Sequence, residues 1–304
     1  MYEKFFYLKE RPFHITPDPQ FLYLSKGHGQ ALDLMAYGIR DRRGFILLTG
    51  EVGAGKTTRC RALMKRLRGD NPAGGNTPLR SALVLNPLMS TYDLLKTINA
   101  DFGLAAPFDT LSSHNGGITP LGTLNGFLLK TASTGGNAAL IVDEAQTLTK
   151  TSLEMLRMLS NLETEKQKLL QILLVGQPEL DERLKLRELR QLNQRVAVRC
   201  RLAPLDLADT GAYIEKRIAT AGGRGSVLIS KDAVKLIHVK SGGVPRSINI
   251  TCDRALTAAF VEGKRVVDRR IAGMAVKELE SEGFLKDDSR EGPLRALISY
   301  IHRT

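Results

Sequence analysis

Short, uninterrupted apolar runs recur along the first two thirds of the chain, where alternating patterns are scarce. The first is Gly44-Phe45-Ile46-Leu47-Leu48-Thr49; Ala82–Leu85, Ala138–Val142, Leu169–Val175 and Val196–Leu202 follow. Helix-length stretches lie between them. Runs that are apolar on both faces, joined in this way, predict an α/β fold with a parallel sheet covered by helices on both sides. The spacing predicts a helix from about His28 to Arg40, with Leu32, Met35, Ala36 and Ile39 on one face. Another runs from Gly55 to about Leu67, directly after the first strand. Ala105–Gly136 is rich in Gly, Ser, Thr and Asn and reads as a loop followed by a helix near Thr123–Ser133.

The pattern changes at Pro204. Residues 206–221, 230–240, 244–261 and 268–280 all read as helices, and no further strand is expected. The chain therefore divides into an arm (1–27), an α/β domain (28–203), a smaller helical domain (204–283) and a charged appendage (284–304). The arm carries Pro12-Phe13 and Thr16-Pro17-Asp18-Pro19, and each proline pins φ and disfavours helix before it. It reads as an extended segment with fixed turns.

Composition adds little until charge is considered. Hydrophobic residues at 42% and charged residues at 25% are ordinary for a soluble globular protein. No stretch reaches the roughly 20 apolar residues that span a bilayer, and the start lacks the charged-then-apolar pattern of a signal peptide. Cys60, Cys200 and Cys252 have no metal-like spacing, and their odd number argues against a disulfide framework. A cytoplasmic setting follows, with any place at the inner membrane a peripheral one held through partners. The net charge of +12 is concentrated: residues 46–70 carry six Lys/Arg against two acids, and 181–203 carry seven against three. Such segments can attract nucleic acid or an anionic surface; the favoured reading is that they serve bound phosphate groups, including those of a neighbouring subunit. No aromatic residues interleave with them to form a base-stacking platform.

The chemistry concentrates at Gly50-Glu51-Val52-Gly53-Ala54-Gly55-Lys56-Thr57, between a strand and a helix. A phosphate loop needs glycines so that backbone N–H groups turn inward, a lysine to reach the β and γ oxygens, and a hydroxyl for Mg²⁺. Gly50, Gly55, Lys56 and Thr57 meet that pattern in the required strand–loop–helix context. The nucleotide-binding set thus runs from Gly50 through Thr58. Asp143-Glu144 end the run Ala139–Val142; a carboxylate there can organise Mg²⁺, and Glu144 is placed to activate a water. Acids also cap helix starts, which is the alternative use of this pair. Gln177 follows the run ending at Gly176, so it either reaches the γ-phosphate region or makes a turn with Pro178. Arg195, and after it Arg190, is the candidate for a finger reaching a neighbour's γ-phosphate; Arg199 and Arg201 share one face of the last strand. Ser241-Gly242-Gly243-Val244-Pro245-Arg246 opens a helix, whose positive end disfavours an arginine. An outside anion accounts for Arg246, as does a nearby carboxylate such as Asp253.

Together these residues resemble the AAA+ ATPases, and more narrowly the ExeA-like (general secretion pathway protein A) family. The resemblance covers roughly residues 1–280. It rests on Met1-Tyr2, Phe5-Phe6, Pro12-Phe13, Thr16–Pro19, Phe21-Leu22-Tyr23 and His28 at the front. Leu48–Gly53, Val142-Asp143-Glu144-Ala145-Gln146, Leu159–Thr164, Val175–Leu180 and Gln194-Arg195 carry it further. It implies a five-stranded parallel core, a helical lid, and ATP hydrolysis coupled to oligomer formation. By the same resemblance Thr57 and Asp143 serve Mg²⁺ and Glu144 is the catalytic base. Gln177 looks like sensor 1, Arg246 like sensor 2 and Arg195 like the trans finger, with the arm beside the adenine. Longer members continue into a membrane helix and a peptidoglycan-binding region, so this chain reads as the ATPase module alone.

The expected function is an ATP-hydrolysing oligomeric motor or switch, working with protein partners of a secretion or envelope system. The alternative is an ATP-dependent, DNA-binding regulator of transposition, supported by the charge. A small-molecule kinase sharing the phosphate loop is disfavoured by Glu144, Arg195 and the helical lid.

Overall fold

The computed structural model of the protein describes residues 1–16, 18–69, 79–104 and 119–285. The first elements are α1 (Tyr2–Phe5), α2 (Lys26–Arg40), β1 (Phe45–Gly50), α3 (Lys56–Gly69), β2 (Leu79–Val84), α4 (Thr91–Asp101) and α5 (Pro120–Ser133). There follow β3 (Asn137–Val142), α6 (Lys150–Leu159), β4 (Leu170–Gly176), α7 (Pro178–Lys185), α8 (Arg190–Asn193) and β5 (Val196–Leu202). The last are α9 (Leu207–Thr220), β6 (Leu228–Ile229), α10 (Lys231–Ser241), α11 (Pro245–Val261), β7 (Val266–Val267) and α12 (Arg269–Ser281). Two compact units result. One joins Met1–Ser25, Gly53–Gly55 and the chain from Pro204 on; the other joins Lys26–Val52 and Lys56–Ala203.

In the second of these, five parallel strands are ordered β2-β3-β4-β1-β5. Every residue of β1 and β4 is buried, as the continuous apolar runs require of strands covered on both faces. β5 lies at an edge and alternates instead: Val198, Cys200 and Leu202 are buried, whereas Ala197, Arg199 and Arg201 are exposed. Charged residues on an edge strand discourage pairing with another chain. The amino-terminal edge of the sheet is tied by a polar network. Arg42, at a left-handed φ of 52°, donates to the carbonyl of Gly136 (2.7 Å) and to Asn137 Oδ1 (3.2 Å). The fully buried Gln171 accepts from the Gly44 N–H (2.8 Å) and donates to Asn137 Oδ1 (3.3 Å). Strands β1, β3 and β4 are thereby held at matching heights. Side-chain caps start the helices where the sequence supplies them, with Ser90, Thr119 and Thr149 accepting from backbone N–H groups of α4, α5 and α6.

The other unit differs from the sequence expectation in three ways. First, the arm is not a segment apart. Tyr2, Phe6, Leu8, Phe13 and Phe21 are buried together with Leu205, Tyr213, Ile214, Ile248 and Cys252 in one core. The aromatic residues of the arm supply volume that the helices α9 to α12 do not, and the prolines shape the path that inserts them. Arg217 locks this arrangement. Itself 7% exposed, it donates to the carbonyls of Pro12 (2.5 Å) and His14 (3.1 Å) and to the Tyr213 hydroxyl (3.1 Å), with its guanidinium 4.8 Å from the Phe21 ring centroid. Phe5 meets Phe260 edge to face at 5.5 Å, and the Tyr2 hydroxyl donates to the Asp253 carboxylate. Secondly, strands do not stop at Pro204: β6 and β7 form a two-residue parallel pair, too short to show as periodicity. Thirdly, the appendage begins by packing, with Leu285 buried against Val276 and Leu279. Its remainder, and most of the Gly- and Ser-rich stretch expected as a loop (residues 105–118), lie outside the described residues, as does Pro17.

Replacing Arg217 with Met should leave two carbonyls of the arm and one buried hydroxyl without their charged donor, at a cost of about 3 kcal/mol. Limited proteolysis read by mass spectrometry checks this: cleavage within the first 20 or so residues should become much faster in Arg217→Met, and unchanged cleavage would show that the clamp is not what holds the arm.

Candidate functional site: a phosphate loop at the carboxyl ends of the strands

The parallel order brings three strand ends together on one edge of the sheet. β1 ends at Gly50, β3 at Val142 and β4 at Gly176, with β4 between the other two. Ligands of open α/β sheets bind outside the carboxyl ends of the strands. The chain leaves β1 through Glu51–Gly55, where Gly53 (φ 80°) and Gly55 (φ 83°) are left-handed, a conformation glycine adopts without steric cost. Space is also closed at Gly53: an added Cβ would lie 2.5 Å from Arg246 Cβ, and the Gly53 carbonyl accepts from the Arg246 N–H (3.2 Å). Ala54 is buried, while Glu51 and Val52 are exposed.

Lys56 and Thr57 open α3. Lys56 is 5% exposed, and its Nζ turns back to donate to the carbonyls of Gly50 (2.8 Å) and Glu51 (3.1 Å). An ammonium has three donors, so one remains for an anion in the loop. Burial pushes the Lys56 pKa down, opposed by the carboxylates of Glu144, Asp143, Glu51 and Glu179. The Thr57 hydroxyl donates to Asp143 Oδ2 (2.5 Å), and Asp143 Oδ1 accepts from the Glu144 N–H (2.9 Å). The Asp143 N–H in turn donates to the Val84 carbonyl (2.8 Å), fixing this residue to the end of β2. Asp143 is 2% exposed; burial raises its pKa, and the bonds from Thr57 and Glu144 act against that. Thr58 follows on the same helix, half-buried.

This arrangement fits a nucleoside triphosphate with Mg²⁺. Backbone N–H groups at a helix start, a buried lysine with a donor to spare, and a hydroxyl already on a carboxylate are the parts that a phosphate–metal pair requires. Among the described residues no group of three or more His, Cys, Asp or Glu could hold a metal ion. A Mg²⁺ bound by one hydroxyl, one carboxylate, phosphate oxygens and water needs no such group.

Glu144 does not cap the following helical turn through its side chain. Its backbone is left-handed (φ 52°, ψ 35°), a conformation that costs a non-glycine residue about 1–3 kcal/mol and is tolerated where the surroundings over-determine it. Here the Thr147 hydroxyl donates to the Glu144 carbonyl (2.8 Å), and Gln146 Nε2 donates to Glu144 Oε2 (2.5 Å). Gln177 lies between β4 and α7, makes no side-chain bond to the start of that helix, and donates its backbone N–H to Gln146 Oε1 (3.2 Å). Gln146 entered the sequence reading only as the last residue of the string Val142–Gln146, without a role, since a glutamine near two acids carries no chemistry of its own.

The arginines separate clearly. Arg195 is half-buried and faces the carboxyl end of α6, donating to Ser160 Oγ (2.9 Å), the Arg157 carbonyl (3.4 Å) and Asn161 Oδ1. A cation at a helix carboxyl end is favourably placed. Arg190 is exposed at the start of α8. Arg199 pairs with Asp181 (2.5 Å), and Arg183 donates to the carbonyls of Gln146 and Leu148. Of the basic residues in 181–203, Arg183, Lys185, Arg195 and Arg199 are therefore engaged within the chain. Arg246 is exposed, and Asp253, the carboxylate offered as the alternative to an outside anion, accepts from Tyr2.

Comparison with known proteins agrees with the geometry. The family model described as an AAA domain matches residues 39–184. The chain is 42% identical over 294 residues, 93% of its length, to general secretion pathway protein A of Aeromonas hydrophila, and it spans 50% of that protein. Among solved structures it is similar to the Aeropyrum pernix ORC2 protein in ADPNP–ADP complexes, with a TM-score of 0.65, 19% identity, and coverage of 89% of this chain and 72% of that one. It is also similar to the Thermotoga maritima RuvB Holliday junction branch migration motor, with a TM-score of 0.55, 16% identity, and coverage of 93% and 81%. At these identities the structural likeness shows the fold. Among the described residues no helix is long and apolar enough to cross a membrane.

The raised pKa of Asp143 has a testable consequence. Between the ordinary carboxylate range and the folded value, the native protein binds more protons at this site than the unfolded chain, so its contribution to stability falls as pH rises through that window. In Asp143→Asn the amide keeps Oδ1 toward the Glu144 N–H while Nδ2 donates to the Thr57 hydroxyl. The nucleotide-free variant should melt no lower than the wild type at pH 7, with an advantage that grows from pH 4 upward. A loss of more than about 3 °C in Tm would show that the carboxylate stabilises the empty fold.

Proposed function

Because the chain is an AAA+ P-loop protein of the ExeA-like family, we propose that it binds ATP with Mg²⁺ and hydrolyses it. We further propose that it acts as an oligomeric switch or motor through protein partners in secretion or cell-envelope assembly. The observation that carries the first part is the cluster of Lys56, Thr57 and Asp143 at the carboxyl ends of β1 and β3, with the loop's left-handed glycines before it. Lys56 would hold the β and γ phosphates, with Gly50–Gly55 and Thr58 around them. Thr57 and Asp143 would hold Mg²⁺, which when bound neutralises charge on the phosphates. Glu144 would take a proton from the attacking water as its oxygen bonds to the γ phosphorus and the bridging β–γ P–O bond breaks, giving ADP and phosphate. Gln177 and Arg246 are the proposed sensors of the γ phosphate.

For the trans finger, internal bonding favours Arg190 over Arg195. A finger must leave its own subunit, and Arg195 would first give up contacts with three residues of the α6 end. The same accounting of partners favours protein over DNA as the substrate of the basic segment, since four of its cations already have acceptors within the chain. The family likeness supports the secretion and envelope reading, although the matched protein is about twice as long and its full activity is not carried over.

Glu144→Gln should retain nucleotide binding within about twofold while phosphate release falls by at least roughly 100-fold. Normal turnover in that variant would remove Glu144 from the chemistry. Arg190→Ala should lower turnover with Tm unchanged, whereas Arg195→Ala should lower Tm. Mixed with Glu144→Gln subunits, Arg190→Ala subunits should recover part of the activity. Absence of recovery, with mixed oligomers confirmed by native mass spectrometry, would reject a finger acting in trans. DNA binding that needs ATP and weakens steeply with salt would return the alternative reading to favour.

A further inference from the structure

Gln146 uses both ends of its side-chain amide, and each end meets a part of the proposed catalytic apparatus. Nε2 donates to Glu144 Oε2 (2.5 Å), and Oε1 accepts from the backbone N–H of Gln177 (3.2 Å), the first residue after β4. The orientation is dictated by chemistry. The Gln177 N–H can only donate, so the atom facing it is the oxygen, which turns the NH₂ group to the carboxylate. The backbone of Gln146 is held as well, because its carbonyl accepts from Arg183 Nη1 and Ala145 beside it is fully buried. Space is reserved for this side chain by Gly176, where an added Cβ would lie 2.8 Å from Gln146 Oε1 and 2.7 Å from Leu180 Cδ2.

We propose that Gln146 is the positioning residue of Glu144, fixing one carboxylate oxygen to the end of β4 and leaving the other free to accept a proton from water. This rests on Glu144 being the base. A carboxylate on a left-handed residue just after a strand has rotamer freedom that its own backbone does not remove. The amide bridge removes it by tying Oε2 to β4, the strand beside both β1 and β3. It also makes the aim of Glu144 depend on where the β4 end lies, since the Gln177 N–H is the anchor. A base oriented by a third group in this way gains rate without gaining substrate affinity.

The test combines steady-state hydrolysis of Mg²⁺–ATP with a measurement on the nucleotide-free protein. Gln146→Ala should reduce kcat by about 10- to 100-fold with KM and ATP affinity unchanged within about twofold. Gln146→Glu, of the same length but presenting a carboxylate to Glu144, should be at least as impaired. In ¹⁵N-edited spectra of the nucleotide-free protein, the side-chain amide of Gln146, assigned by its loss in Gln146→Ala, should lie downfield through its bond to a carboxylate and return toward the free position in Glu144→Ala. A kcat within twofold of wild type in Gln146→Ala, an increased kcat, or an amide signal indifferent to Glu144→Ala would each overturn the proposal. Glu144→Gln separates the two readings: if it is inactive while Gln146→Ala is unimpaired, only the positioning role fails, and if Glu144→Gln turns over normally, the base assignment itself fails.

Discussion

A lysine and an aspartate are buried side by side at the carboxyl ends of β1 and β3, and the sheet unit is organised around that constraint. Burial disfavours the ionised forms of both Lys56 and Asp143, pushing the first pKa down and the second up. The carbonyls of Gly50 and Glu51, the Thr57 hydroxyl and the Glu144 N–H offset part of that cost. These partners work only if β1 and β3 end at the right heights. The register of β3 against β2 and β4 sets one height, and the bond from the Asp143 N–H to Val84 fixes it. At the opposite edge, Arg42, Asn137 and Gln171 keep the strands from sliding. Lys56 and Asp143 gain most from a ligand that brings both a cation and anionic oxygens, and Mg²⁺ with a triphosphate answers that description.

The helical unit solves a different problem. Its helices alone leave a core short of bulk, and the first two dozen residues supply it as Tyr2, Phe6, Phe13 and Phe21. A segment with little regular structure can be buried only if its carbonyls find donors, and Arg217 provides them for Pro12 and His14. The Tyr2–Asp253 bond and the Phe5–Phe260 contact then brace α11, the helix that begins with Pro245-Arg246.

Net charge by itself does not say which basic side chains are available to a partner. The excess of basic residues in 181–203 is large on paper, yet Arg183 and Arg195 meet carbonyls at helix or turn ends, and Lys185 and Arg199 meet carboxylates. A cation engaged within the chain contributes to the field but is a poor direct contact for phosphate. The identity shared with general secretion pathway protein A therefore weighs more in the functional reading than the charge does.

The five strands of the main sheet, the α/β class and the strand–loop–helix around Gly50–Thr57 were legible from the amino-acid sequence, because each depends on residues close together in the chain. Phe45–Gly50 is apolar without alternation and is a central strand; Gly53 and Gly55 precede a lysine and a threonine and form the loop. The four helices after Pro204 were legible by the same periodicity. What only the tertiary structure decided involves partners far apart in sequence or too brief to have a period. Arg195 looked free to reach outward because nothing near it in sequence shows that residues 157–161 lie against it. The β6–β7 pair is two residues long, and the arm's burial depends on Arg217, some 200 residues away. Gln146 belongs to this second class: a glutamine gains meaning at a site only when both ends of its amide are seen to be used.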